Sequence, residues 1–107
     1  MALVQPVQFG FFLTPTAHNY PELVQQARLA DQLGLDLIGI QDHPYQQRFL
    51  DTWTLIAALA VQTERIRFFP DVINLPLRPP AMLGKAAASL DHMTGGRIEL
   101  GLGAGAF

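Results

Sequence analysis

Asp42 and His43 are the residues of this chain best placed to do chemistry. They follow Leu37-Ile38-Gly39-Ile40-Gln41, and Pro44 stops the run directly behind them. An apolar run so short and so sharply bounded reads as a parallel strand covered on both faces. The carboxyl end of such a strand is where α/β proteins gather ligands and catalytic groups. An imidazole titrates near neutrality, so His43 is the candidate acid/base group, able to pass a proton to or from a reacting atom. The plainer alternative is a polar turn leaving a strand, and these residues by themselves leave both open.

Three more strand ends offer polar or small residues: Thr14-Pro15, Asp71-Val72 with Asn74, and Gly103-Ala104-Gly105. Asp71 stands in an otherwise apolar stretch, where a carboxylate needs a partner or a functional reason. Gly101-x-Gly103-x-Gly105 would let backbone approach a phosphate or a ring. As a dinucleotide fingerprint it has the wrong final spacing and follows the wrong strand, so glycines bending a strand are the simpler account. His18 falls in a loop and His92 near a helix end, and three histidines without paired spacing predict no metal site.

The elements that must position these residues alternate regularly. Residues 7–13 are rich in β-formers and close at Thr14-Pro15, which predicts a first strand. Pro21 suits the first turn of a helix capped by Asn19 or Tyr20, with Leu23, Val24, Ala27, Ala30 and Leu33 at helical spacing and Gly34 as the stop. The strand leading to Asp42 comes next. Asp51 is the N-cap of a second helix whose expected inner face is Trp53, Ile56, Ala57, Ala60 and Val61. Residues 66–73 predict a third strand, distorted where Pro70 interrupts it. Pro79-Pro80 opens a third helix carrying Met82, Leu83, Ala86, Ala87 and Leu90, and Gly95-Gly96 ends it. Residues 97–102 predict a fourth strand. The order β-α-β-α-β-α-β, with units recurring every 30 residues or so, implies a parallel sheet with right-handed crossovers. All four strand ends then share one rim.

Composition narrows the class. At 107 residues the chain is one domain at most, and with half its residues hydrophobic it is globular rather than disordered. A net charge of −2, with six scattered arginines and a single lysine, Lys85, gives no footprint for nucleic acid or an anionic membrane. Absence of cysteine excludes disulfides and suits a cytoplasmic home. Met1-Ala2-Leu3-Val4-Gln5-Pro6 lacks the basic start of a signal peptide, and no apolar run reaches the roughly 18 residues of a membrane span.

These residues together resemble the luciferase-like flavin monooxygenase superfamily, which includes coenzyme F420-dependent oxidoreductases. The resemblance is carried by Asp42-His43 after the second strand and by the run from Trp53 to Ile66. Its strongest part is Leu90-Asp91-His92-Met93-Thr94-Gly95-Gly96-Arg97 leading into Gly101-x-Gly103-x-Gly105. It extends in order over essentially all 107 residues. What it implies is the N-terminal half of a (β/α)8 TIM barrel: four parallel strands with three helices, residues 1–107 forming a single partial domain. In that analogy His43 is the catalytic group near the reacting ring carbon. Asp42, His43, Asp71, Val72, Asn74, Ala104 and Gly105 match cofactor contacts, with Asp71-Val72 at the family's non-prolyl cis peptide. The cofactor implied is FMN or coenzyme F420, and the substrate a small organic molecule. Ala106 stands where some F420-dependent sugar-phosphate enzymes carry an acid, so that substrate class is not implied.

The resemblance places the phosphate and ribityl contacts largely in the second half of the barrel. A polypeptide ending at Phe107 is therefore expected to bind cofactor weakly or not at all and to be inactive alone. Its unpaired apolar strand edges predict a homo-oligomer. The competing reading is a non-catalytic half-barrel that self-associates without turnover. A third is a generic phosphate-binding module built on the glycine-rich strand end.

Overall fold

The computed structural model describes residues 4–105, so the first half of the stretch read above for a leader, and Ala106, lie outside them. Three parallel strands, β1 (Gly10–Leu13), β2 (Leu37–Ile40) and β3 (Arg67–Pro70), form one sheet in sequence order. Helix α1 (Tyr20–Gln32) joins the first two and α2 (Thr52–Ala60) the second and third. Beyond β3 come β4 (Ile73–Asn74), α3 (Pro80–Met93) and β5 (Leu102–Gly103), with β4 and β5 paired in parallel.

Register sorts the strand residues into rows. Phe11, Ile38 and Phe68 stand abreast, and a bridge from Phe68 to Ile98 continues the row. Leu13, Ile40 and Pro70 form the next row on the same face, and all three are buried. Against these rows pack Leu23, Ala27 and Ala30 of α1, Leu55, Ile56, Leu59 and Ala60 of α2, and Leu90 of α3. All three helices thus contribute to one core on one face of the sheet. Each large apolar side chain so buried contributes roughly 1.5–3 kcal/mol. The rows between point the other way: Gly10, Leu37 and Arg67, then Phe12, Gly39 and Phe69. Phe12 is 54% exposed there.

The strands are shorter than the residue pattern predicts, and each difference has a cause. Residues 7–9 precede β1 because the Phe9 N–H is taken by the Asp36 carboxylate, at 2.8 Å, instead of by a ladder. The single strand expected over 66–73 divides in two, because Pro70 has no N–H and the Asp71–Val72 peptide is cis. The fourth strand expected over 97–102 loses its continuous partner for the same reason. It keeps hydrogen bonds from the Phe68 N–H to the Arg97 C=O (2.8 Å), from the Glu99 N–H to the Phe68 C=O (2.9 Å) and from the Ile73 N–H to the Gly101 C=O (2.7 Å). Of it only Leu102 is regular strand, which continues into Gly103. Four continuous strands become a three-stranded and a two-stranded sheet.

Two helix faces also differ. In α2 the buried stripe is Thr52, Leu55, Ile56, Leu59 and Ala60, with Trp53 and Ala57 at its margin and Val61 67% exposed. The helix is apolar nearly all round, so spacing could not choose a face. The Thr52 hydroxyl, donating to the Gln41 C=O, fixes the rotation. In α3 Leu83 and Leu90 are buried whereas Met82 is exposed. The helix ends as expected: Gly95 and Gly96 take φ values of 70° and 91°, and the Gly96 N–H closes on the Asp91 C=O at 2.8 Å.

The turn from α2 into β3 is held by two side chains. Asp31, on the buried stripe of α1, accepts the N–H groups of Glu64 (2.8 Å), Arg65 (3.0 Å) and Ile66 (2.8 Å). Burial pushes its carboxyl up, but those donors and the Arg65 charge outweigh burial and hold it below the ordinary range. Arg97 donates to the carbonyls of Ala60 (2.6 Å), Thr63 (3.1 Å) and Ile66 (3.0 Å) and to the Thr63 hydroxyl (3.1 Å). Carbonyls left over at the end of α2 thereby find a donor. Among the described residues no helix is long and apolar enough to cross a membrane.

Candidate active site at the strand ends

Because the strands run parallel, the residues following each of them meet at one end of the sheet. A cleft of about 270 Å³ opens there, lined by Asp42, His43 and Tyr45 after β2, by Asp71 to Asn74 around β4, and by Gly103 to Gly105 at β5. All seven residues expected to meet a cofactor, Asp42, His43, Asp71, Val72, Asn74, Ala104 and Gly105, line it. Thr14-Pro15, the remaining strand end, does not. His18 and His92 are exposed elsewhere. Among the described residues no group of acidic residues or histidines is arranged to hold a metal.

Asp42 is the anchor of the site. Its side chain is fully buried, and both oxygens are engaged. Oδ2 accepts the Asn74 N–H at 2.8 Å and Arg78 Nε at 3.1 Å, while Oδ1 accepts Arg78 Nη2 at 2.8 Å. The same Nη2 donates to Asp51 Oδ1 at 2.8 Å. Asp51 is also the N-cap of α2, as its position predicts: Oδ2 accepts the Thr54 N–H at 2.9 Å and the Thr54 hydroxyl at 2.7 Å. Hydrogen bonding to Asp42, opposed by burial and reinforced by Asp51, raises the Arg78 guanidinium above its ordinary value. Burial pushes the Asp51 carboxyl up, but Thr54 and Arg78 outweigh it and hold it below the ordinary range. One arginine therefore ties the ends of β2 and β4 to the start of α2. Arg78 was not among the expected site residues. No periodicity or motif marks it, and its role depends on two acids 36 and 27 positions away.

The cis peptide lies between Asp71 and Val72, at the position the resemblance gave. Asp71 needs no buried counter-charge, because it is exposed on the cleft edge, with its N–H bonded to the Ile40 C=O at 2.7 Å. Val72 is 44% exposed and turned toward the glycine ladder of the last strand. A Cβ on Gly103 would collide with Cγ2 of Val72, and one on Gly101 would lie 2.5 Å from the Pro70 carbonyl oxygen. On Gly105, at φ 90°, it would press on the Asn74 amide oxygen and the Pro76 ring, both at 3.1 Å. The glycines are thus explained by close packing against the residues around the cis peptide. Gly103→Ala is expected to push Val72 out of place at a cost of about 1–3 kcal/mol. Expressed at the cleft, that weakens ligand binding roughly tenfold or more. A fluorescence titration matching the unsubstituted protein would show that Val72 does not shape the site.

Parallel strands in sequence order, helices stacked on one face and a cleft at the strand carboxyl ends define an α/β protein of the singly wound kind. Residues 3–107 match the family model described as luciferase-like monooxygenase, and the chain belongs to that family. It is 33% identical, over 95% of its length and 30% of the relative's, to the 4-hydroxyprotoasukamycin monooxygenase of Streptomyces nodosus subsp. asukaensis. Its fold matches the coenzyme F420-dependent tetrahydromethanopterin reductase of Methanopyrus kandleri with a TM-score of 0.84 at 26% identity, covering 95% of this chain and 28% of that one. It matches the oxygenating constituent of 3,6-diketocamphane monooxygenase from Pseudomonas putida, solved with FMN, with a TM-score of 0.83 at 32% identity, covering 95% and 30%. The chain therefore spans about 30% of the length of each of these relatives.

Proposed function

We propose that this chain forms the N-terminal half of a (β/α)8 barrel, four parallel strands with three helices in a single partial domain over residues 1–107, and that its strand-end cleft holds the ring of FMN or coenzyme F420. The whole protein is then an oxidoreductase acting on a small organic substrate. The observation that carries this reading is the convergence of Asp42, His43, Asn74, Ala104 and Gly105 with the cis Asp71–Val72 peptide in one cleft.

The residues present suit a ring. Val72, beside the cis peptide, offers an apolar contact, His43 a polar one, and Gly103, Ala104 and Gly105 line the cleft with small residues. Ligand pockets usually run from roughly 300 to 1,000 Å³. A cleft of about 270 Å³ is therefore one part of a site for a whole cofactor. A bound flavin or deazaflavin would supply the hydride-transfer chemistry. The chain's own part is to seat the ring and to place His43 beside the reacting atoms, as a hydrogen-bond partner or acid/base group.

Titration of the protein at its encoded length with FMN and with coenzyme F420, read by fluorescence, tests this. Saturable binding of one of them, reduced in a His43 or Gly103 variant, is the expected result. Binding by neither would withdraw the enzyme reading. Self-association of the 107-residue chain without turnover is the second reading, favoured by the exposed Phe12 on the helix-free face of the sheet. Light scattering tests it, and a monodisperse monomer would remove it.

A further inference from the structure

We propose that Tyr45 is a positioning residue for His43: its hydroxyl fixes the imidazole in the Nε2–H tautomer, so that the cleft is offered a hydrogen-bond donor suited to a carbonyl or oxyanion oxygen of the substrate. This rests on the reading of the cleft as a ligand site.

The contact is built by the local chain. His43 C=O accepts the Gln46 N–H at 2.9 Å, closing a turn with Pro44 in its second position, where a fixed φ is favoured. The far end of the loop is pinned by the Ala17 N–H on the Arg48 C=O (2.8 Å) and the Leu50 N–H on the Pro15 C=O (2.7 Å). Between these anchors the Tyr45 hydroxyl lies 2.5 Å from His43 Nδ1. The two rings meet edge-on, with centroids 5.4 Å apart.

The direction of that hydrogen bond follows from acidity. A phenol is a stronger acid than the N–H of a neutral imidazole, so the shared hydrogen stays on the tyrosine oxygen and Nδ1 accepts it. The ring's own hydrogen must then sit on Nε2. A carboxylate more often orients a histidine. Asp42, the adjacent acid, has both oxygens committed to Asn74 and Arg78. Tyr45 fills the orienting role, and it lines the same cleft as His43.

The test is made on the unliganded protein at its encoded length, labelled with nitrogen-15 in histidine, at a pH of about 8, above the ordinary imidazole range. His43→Asn identifies the His43 resonances by their loss. Long-range proton–nitrogen spectra should show Nδ1 as the unprotonated nitrogen and Nε2 as the protonated one. Tyr45→Phe, which removes one oxygen from a residue 42% exposed, should give averaged tautomers. A protonated or averaged Nδ1 in the unsubstituted protein, or no change in Tyr45→Phe, overturns the proposal. The first of these needs no variant to fold. Because no cofactor is added, failure here is separate from failure to bind FMN or coenzyme F420.

Discussion

Asp42→Ala is expected to remove about 3–5 kcal/mol of stability and to abolish ring binding, the largest effect of any single substitution at the site. Its carboxylate has no exposure to water, and it is bonded to a guanidinium whose side chain is 18% exposed. Truncation leaves the Arg78 Nε and the Asn74 N–H without their acceptor. Arg78 then has only Asp51 to pair with. The binding loss follows from the stability loss, because the Asn74 N–H bond sets where the strand beyond the cis peptide stands relative to His43. Asp42→Asn, which keeps an acceptor but not the charge, should fall between the two. Urea denaturation with a cofactor titration on the same samples measures both effects. An Asp42→Ala protein with the original midpoint would show that Asp51 alone satisfies Arg78, and the anchoring account would fail.

Arg97→Ala acts at the opposite end of the sheet and should separate stability from binding. The guanidinium serves the carbonyls of Ala60, Thr63, Thr94 and Ile66 and the Thr63 hydroxyl, all close to the turn that feeds β3. Removing it leaves several partly buried acceptors unmatched, for about 2–4 kcal/mol. Arg97→Lys keeps the charge but supplies one point donor in place of a planar fork, so it should recover only a minor part. Ligand affinity under folding conditions should be unchanged, because none of these groups lines the cleft. Affinity falling in parallel with stability would mean that the two ends of the sheet are coupled.

Local chemistry made much of this protein legible in its sequence. Asp51 could be read as an N-cap because capping needs only the N–H three residues on, and Gly95-Gly96 as a helix stop because positive φ is a property of single residues. Strand-helix alternation follows from periodicity alone, and it places all the strand ends on one rim. The strand ends so placed already include the seven cleft residues, and the resemblance added the cis peptide, which periodicity could not supply.

Partnerships across the chain were not legible in this way. Arg78 carries no local mark of its two acids, nor does Asp31 of the three N–H groups it caps in a turn more than 30 residues later. The glycine ladder looked like a phosphate loop or a bent strand until Val72 was placed against Gly103. The sequence by itself determined the elements, their order and the end of the sheet where chemistry would gather, because each depends on residues a few positions apart. Only the tertiary structure decided which face of α2 is buried and which arginine holds Asp42. Those outcomes rest on contacts between distant segments, for which one-dimensional spacing carries no signal.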